Sequence, residues 1–385
     1  MGTQAPTYTL AEVFNTAVVA NRAIAAWRLP HAASVQVCIS LQDDLFIGQP
    51  VLENSAAGFL FCPFQVGKYK NSFIKADLEF DPLTGIVFSA PDAPVAGLKE
   101  FYTLLAEPTN NSWHLPESIA QLTSENYTAV VQQSIAAIEA GEMEKVVISR
   151  NQKQQLPENF SPVATFNKLL ESYPEAFVSL VSVPGIGTWL GATPEILVSI
   201  DADQVFHTMA LAGTQPATEK VNDAIWRQKE IEEQGMVERY ILSCFKKLRL
   251  REYTEIGPRT IKAGNLLHLR TDFKVDLKEV DYPALGSEML QLLHPTSAIC
   301  GLPKEPALQF ILAREGYDRS YYSGYFGPVN CAAGTSLFVN LRCMQLLSHE
   351  AILYAGAGIT SESDPEKEWH ETQHKMNTIG SVLNG

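Results

Sequence analysis

The apolar positions of this chain alternate between two periods, and the switches between them outline the elements. Residues 9–27 carry apolar side chains at helical spacing and predict an amphipathic helix. Short β-rich runs follow at 35–40 and 58–62. A polar stretch with Pro and Asn at 107–117 is the best candidate boundary, dividing residues 1–120 from 121–385. Beyond it the pattern predicts a helix over 126–139 and a strand over 145–150. A hairpin of 177–183 and 188–200 turns at Pro184-Gly185-Ile186-Gly187, and another strand covers 204–211. Strands joined by turns favour antiparallel pairing, so the fold class is α+β rather than doubly wound.

Two further helices carry chemistry. The first covers 222–248, with Val237, Ile241, Cys244 and Leu248 forming an apolar stripe. Carried back by four and then three residues, that line reaches Glu233 and Glu230, while Glu232 and Glu238 are left for solvent. The second helix starts at Asp364-Pro365, an N-cap followed by proline in the first turn. Its stripe contains Ile379 and Val382. Read backwards, the same face holds Lys375, Glu371 and Glu368. A carboxylate pair at i, i+3 is commonly a solvated face. Two such pairs, each aligned with a buried stripe, instead predict an all-oxygen site for a hard cation. Magnesium takes one or two carboxylates and keeps waters and room for a substrate oxyanion.

Composition narrows the field. The 385 residues are 46% hydrophobic and 19% charged, which suits a compact protein. The formal net charge of −14 argues against nucleic-acid binding and means that an anionic substrate needs local cations or a metal. No apolar run is long enough for a membrane span, and the N-terminus shows no signal-peptide pattern. Six scattered cysteines without a C-x-x-C pair suit reduced thiols and a cytoplasmic location.

Two motifs mislead. HETQH at 370–374 matches the zinc-peptidase pattern, yet no His, Asp, Glu or Cys follows His374 to supply a third ligand. GAGITS at 356–361 lacks the third glycine and the βαβ context of a dinucleotide loop. Its glycines are expected to let a ligand approach the backbone closely.

KVVISR at 145–150, GATPE at 191–195 and ALAGT at 210–214 occur in the order found in chorismate-utilising enzymes, and the chain resembles that family. The match continues through Glu230 and Glu233, AGNLLHLRT at 263–271, HPTSAICGLP at 294–303, YDR at 317–319, Gly324, Gly327 and LRC at 341–343. AGAGI at 355–359 and EWHET at 368–372 with Lys375 close it. The resemblance covers about residues 125–383; residues 1–120 carry little signature. It implies a single large domain, two mainly antiparallel sheets around a central cleft. Family members that install nitrogen typically have Gln where this chain has Lys145, and one branch has a nucleophilic Lys in place of Ala212. Lys145 with Ala212 therefore resembles the water-using branch, the isochorismate and salicylate synthases, with no glutamine amidotransferase subunit expected.

The resemblance also implies roles. Lys145 would be the general base, which requires a pKa well below the free value of about 10.4. Glu195 would be the general acid, which requires a raised pKa. Glu233 and Glu371 resemble the Mg2+ ligands, with Glu230 and Glu368 acting through water. Arg342 and Lys375 would hold substrate carboxylates, and Gly213, Thr214, Ala298 and Gly356 would contact the substrate. His268 is expected near the cleft without an assigned step. Gln234 and Ser297 depart from the family's usual His and Pro.

Overall fold

A computed structural model of the protein describes residues 6–117, 126–216, 221–263 and 266–383. Two mainly antiparallel sheets form its centre. The first runs from edge to edge as Gly301–Leu302, Lys145–Gln155, Glu350–Ile359, Cys343–Leu346, Gly187–Thr193, Phe177–Val183, Ile24–Arg28, Gln36–Ile39, Leu78–Asp81 and Ile86–Ser89. The second runs as Thr254–Ala263, Leu266–Asp276, Val205–Pro216, Ile196–Ile200, Thr335–Val339, Tyr325–Val329, Gly58–Cys62, Asn71–Lys75 and Phe46–Ile47. The class is α+β, as expected. Strands from the first 90 residues complete both sheets, so that part of the chain shares the cores of the rest.

An aromatic layer joins the sheets. Trp27, Phe177, Trp189 and Tyr354 from the first meet Phe59, Phe61, Phe326 and Phe338 from the second. Phe177 stacks on Phe338 with ring centroids 4.1 Å apart. Strands covered on both faces read as near-continuous apolar runs, and Phe177–Val183 is buried at every position. Helices Leu10–Val19, Pro162–Ser172 and Pro365–Gly380 cover the first sheet. Helices Gln228–Lys247 and Leu285–Leu293 cover the second. Tyr127–Glu139 packs on both Pro365–Gly380 and Lys145–Gln155.

Two predicted strands run on further, to Gln155 and Pro216, and three predicted elements differ more deeply. The expected helix over 9–27 stops at Val19, where Asn21 takes a positive φ of 53°, and Ile24–Arg28 is a central strand. The Ala-rich apolar run after Asn21 fits a strand covered on both faces as well as it fits a helix. The expected single strand over 188–200 is broken at Pro194-Glu195. Gly187–Thr193 lies in the first sheet and Ile196–Ile200 in the second. Proline has no N–H for the ladder. Around the break the Thr193 hydroxyl donates to the Val339 carbonyl, and Val339 N–H donates to the Glu195 carbonyl. The helix expected over 222–248 begins only at Gln228, after a 3-10 turn at Val221–Asp223. The boundary stretch at 107–117 is free of helix and strand.

Candidate active site

The strand break puts Glu195 where the chain crosses between sheets, and a cleft opens there. Its walls come from both sheets and both carboxylate helices. They include Val147, Glu195, Gly213, Glu233, His268, Ala298, Tyr322, Arg342, Gly356, Glu371 and Lys375. The cleft encloses about 750 Å3 of empty space counted out to its mouth. Wider surface clefts exist, such as the one lined by Phe64, Lys68 and Asp318, but they hold none of the expected residues.

Of the twelve residues expected at the site, eight line the cleft: Glu195, Gly213, Ala298, Arg342, Gly356, Lys375, Glu233 and Glu371. The Thr214 side chain lies outside the described residues. Lys145 sits one layer behind the wall, fully buried, with its Nζ 2.7 Å from Glu233 Oε1. Gly358, on the strand paired with that of Lys145, leaves room for this ion pair. A Cβ there would meet Glu233 Oε1 at 2.5 Å and Lys145 Cε at 3.1 Å. Gly358 also lines the cleft, so its missing Cβ makes room for the protein's own ion pair at the edge of the space expected to take a ligand.

The two carboxylate pairs split. Glu371 reaches the cleft and pairs with Lys375 at 2.7 Å, and Lys375 Nζ also donates to the Gly356 carbonyl at 2.9 Å. Glu230 instead accepts from the Arg227 N–H at 2.8 Å, tying down the start of its helix. Glu368 is almost wholly buried and is paired with Lys229 of the other helix. Glu238, expected in solvent, accepts from the Thr271 hydroxyl and from Gln234 Nε2. Gln234 also reaches the Ala210 carbonyl. The two His of HETQH are both exposed, and neither lines the cleft that Glu371 reaches.

The electrostatics follow from burial. Burial pushes the Glu195 carboxyl up to about 7, with Lys145, Lys375 and Arg342 each pulling the other way. Burial also acts to raise Glu233, but Lys145 and then Lys229 and Lys375 outweigh it and hold this carboxyl below its ordinary value. Glu368 is raised by burial and by the nearby charge of Glu371, against the pull of Lys229. Burial and then Arg342 push His268 down to about 3, so its ring is neutral, and Nδ1–H donates to the Gly213 carbonyl at 2.9 Å. Gly213 itself has a φ of +63° and lies against Glu230, where a Cβ would come within 3.2 Å of the Glu230 Cβ.

These residues fit magnesium better than a caged metal. Among the described residues no three His, Cys, Asp or Glu side chains converge as a ready-made metal group. What the cleft offers is two carboxylates, Glu233 and Glu371, with a third close enough to Glu371 to be repelled by it. Such a set suits an ion that keeps waters and shares its shell with a bound anion. Sequence reading missed Tyr322, Tyr354 and Lys229. Tyr322 stands within the YDR-to-Gly324 motif, which was the available signal; for Lys229 there was none beyond its place before Glu230.

A mixed α+β fold with an acid at the sheet crossing, flanked by cations and carboxylates, defines an enzyme site for a small anionic substrate. The chorismate binding enzyme family model matches residues 96–384, and the chain belongs to that family. The vibriobactin-specific isochorismate synthase of Vibrio cholerae is 28% identical over 320 residues, covering 80% of this chain and 78% of that one. Isochorismate synthase DhbC of Bacillus subtilis is 30% identical over 272 residues, covering 66% and 67%. The solved structure of the menaquinone-specific isochorismate synthase MenF of Escherichia coli superposes with a TM-score of 0.76. It is 20% identical, covers 99% of this chain and 96% of its own, and shows the shared fold.

Proposed function

We infer that the protein is an isochorismate synthase that converts chorismate to isochorismate with magnesium bound between Glu233 and Glu371. The observation that carries this reading is the buried Glu195, pushed up to about 7 inside the cleft, with Lys145 buried against Glu233 of the cleft wall. At neutral pH a substantial fraction of Glu195 is protonated and able to donate, which a carboxyl of ordinary pKa is not. Lys145, once it has given up the proton that it holds in its ion pair with Glu233, takes a proton from water as the oxygen bonds to ring carbon C2. The ring double bonds shift, the C4–O bond breaks, and Glu195 delivers its proton so that the hydroxyl leaves as water. No electrons are gained or lost overall. Arg342 and Lys375 supply cations for the two carboxylates of the substrate. Bound magnesium would be held by Glu233 and Glu371 and would supply Lewis acidity and positive charge at the carboxylate end. Ala212, next to Gly213 in the cleft wall, offers no amine to attack the ring, which supports water as the nucleophile.

The test is incubation of the purified protein with chorismate and magnesium, with products separated and identified by mass. Isochorismate is expected. Salicylate with pyruvate would move the reading to a salicylate synthase, and an aminated product formed with ammonia would overturn water as the nucleophile.

A further inference from the structure

Three lysines neutralise three glutamates one by one at this site: Lys145 with Glu233, Lys375 with Glu371 and Lys229 with Glu368. Lys145 and Lys375 are accounted for by the chemistry above. Lys229 is not. It is absent from the cleft wall, yet it is largely buried and bridges from one carboxylate helix to the other.

Its position breaks a local rule. Lys229 is the second residue of helix Gln228–Lys247, where the helix dipole disfavours a positive charge. Residues that break local rules in a well-packed region are retained for what they face. Lys229 faces an acidic cluster: its ammonium is held above its ordinary pKa, against the effect of burial, by Glu368, then Glu371 and Glu233. The last two are the carboxylates that fit the metal. Glu368, for its part, is buried at the start of Pro365–Gly380 and has no other ion-pair partner among the described residues.

We propose that Lys229 is a built-in counter-cation of the metal site, clamping the two carboxylate helices together when no metal is bound and competing with the metal for the same negative charge. The proposal rests on the reading of Glu233 and Glu371 as metal ligands. With the lysines in place the site is close to neutral before metal enters, so the bare protein holds magnesium weakly. A doubly charged anion arriving with the metal restores the balance. Lys229 thereby ties metal retention to substrate binding.

The experiment uses the full chain, stripped with chelator, at about pH 8, and titrates magnesium chloride alone by calorimetry for wild type, Lys229→Met and Lys229→Arg. Thermal unfolding is followed in chelator and in excess magnesium. Removing one nearby positive charge should tighten magnesium binding roughly tenfold in Lys229→Met, while Lys229→Arg stays near wild type. Lys229→Met should melt several degrees lower than wild type in chelator, and magnesium should close most of that gap. A merely structural ion pair would leave the gap open. If Lys229→Met does not fold, Lys229→Gln carries the same measurement. Magnesium binding of unchanged or lower affinity in the variant, with normal binding by wild type, overturns the proposal alone. A wild type that binds no magnesium overturns the metal reading, and the proposal with it.

Discussion

The two carboxylate helices are near copies in sequence and opposites in surroundings. Each presents a Glu pair at i, i+3, and each sends only the second Glu into the cleft, Glu233 from Gln228–Lys247 and Glu371 from Pro365–Gly380. The first Glu is spent differently. Glu230 closes its own helix start at Arg227, whereas Glu368 is buried against a lysine of the other helix. The lysines differ too. Glu371 is served by Lys375, one turn along its own helix, but Glu233 is served by Lys145 from a strand that lies far earlier in the chain. Helical spacing thus places a side chain on a face; the neighbour across that face decides whether it caps, clamps or faces substrate.

That asymmetry can be broken most severely at Lys145. Lys145→Ala should keep its fold and its chorismate binding and lose turnover by about 10²–10⁴-fold, as for a general base. Near-normal turnover measured under saturating chorismate would remove Lys145 from the chemistry and leave it only as the partner of Glu233.

A slightly smaller loss is expected for Glu195→Gln, again on the order of 10²-fold or more, because an amide cannot donate the proton. Its pH signature sharpens the comparison. Glu195 acts protonated, so wild-type turnover should fall as pH rises through about 7, with Lys145, Lys375 and Arg342 as the charged groups that keep that midpoint from going higher. A pH–rate profile of the variant should lack this limb; an unchanged limb would assign it to another group.

Next come the glutamates themselves. Glu233→Gln and Glu371→Gln should each weaken magnesium binding by roughly 10–100-fold, read by calorimetry. Glu230→Ala should leave that affinity within a few-fold and instead cost about 1 kcal/mol of stability through loss of the helix start, read by denaturant unfolding. Equal loss of metal affinity at Glu230 would show the two helices to be more alike than their contacts suggest.

The smallest effect is expected at the HETQH histidines. His370 and His374 are exposed and do not line the cleft, so activity of His370→Ala and His374→Ala should stay within about twofold, whereas loss of a zinc ligand would abolish a zinc site. Inactivation of the folded double variant would reopen the metal question.

Much of this was legible beforehand, for reasons tied to particular residues. The buried runs, the stripe through Val237, Ile241 and Cys244, and the Asp364-Pro365 helix start are local signals that tertiary contacts reinforced. The helix expected over 9–27 was misjudged because an Ala-rich run covered on both faces satisfies either period. The Pro194-Glu195 break was passed over because proline at a strand's end and proline between two strands look alike until the partner strands are known.

The sequence by itself determined the class of the fold, the face of each carboxylate helix and the residue types available for chemistry, since periodicity and side-chain chemistry act over a few residues. Only the tertiary structure decided which charges meet. It buried Lys145 against Glu233 beside the missing Cβ of Gly358, set Glu195 at the crossing between sheets, and brought Lys229 to Glu368 across 139 positions of chain. Burial and ion pairing are properties of the space between elements, and it is there that Glu195 becomes an acid and Glu368 the partner of Lys229.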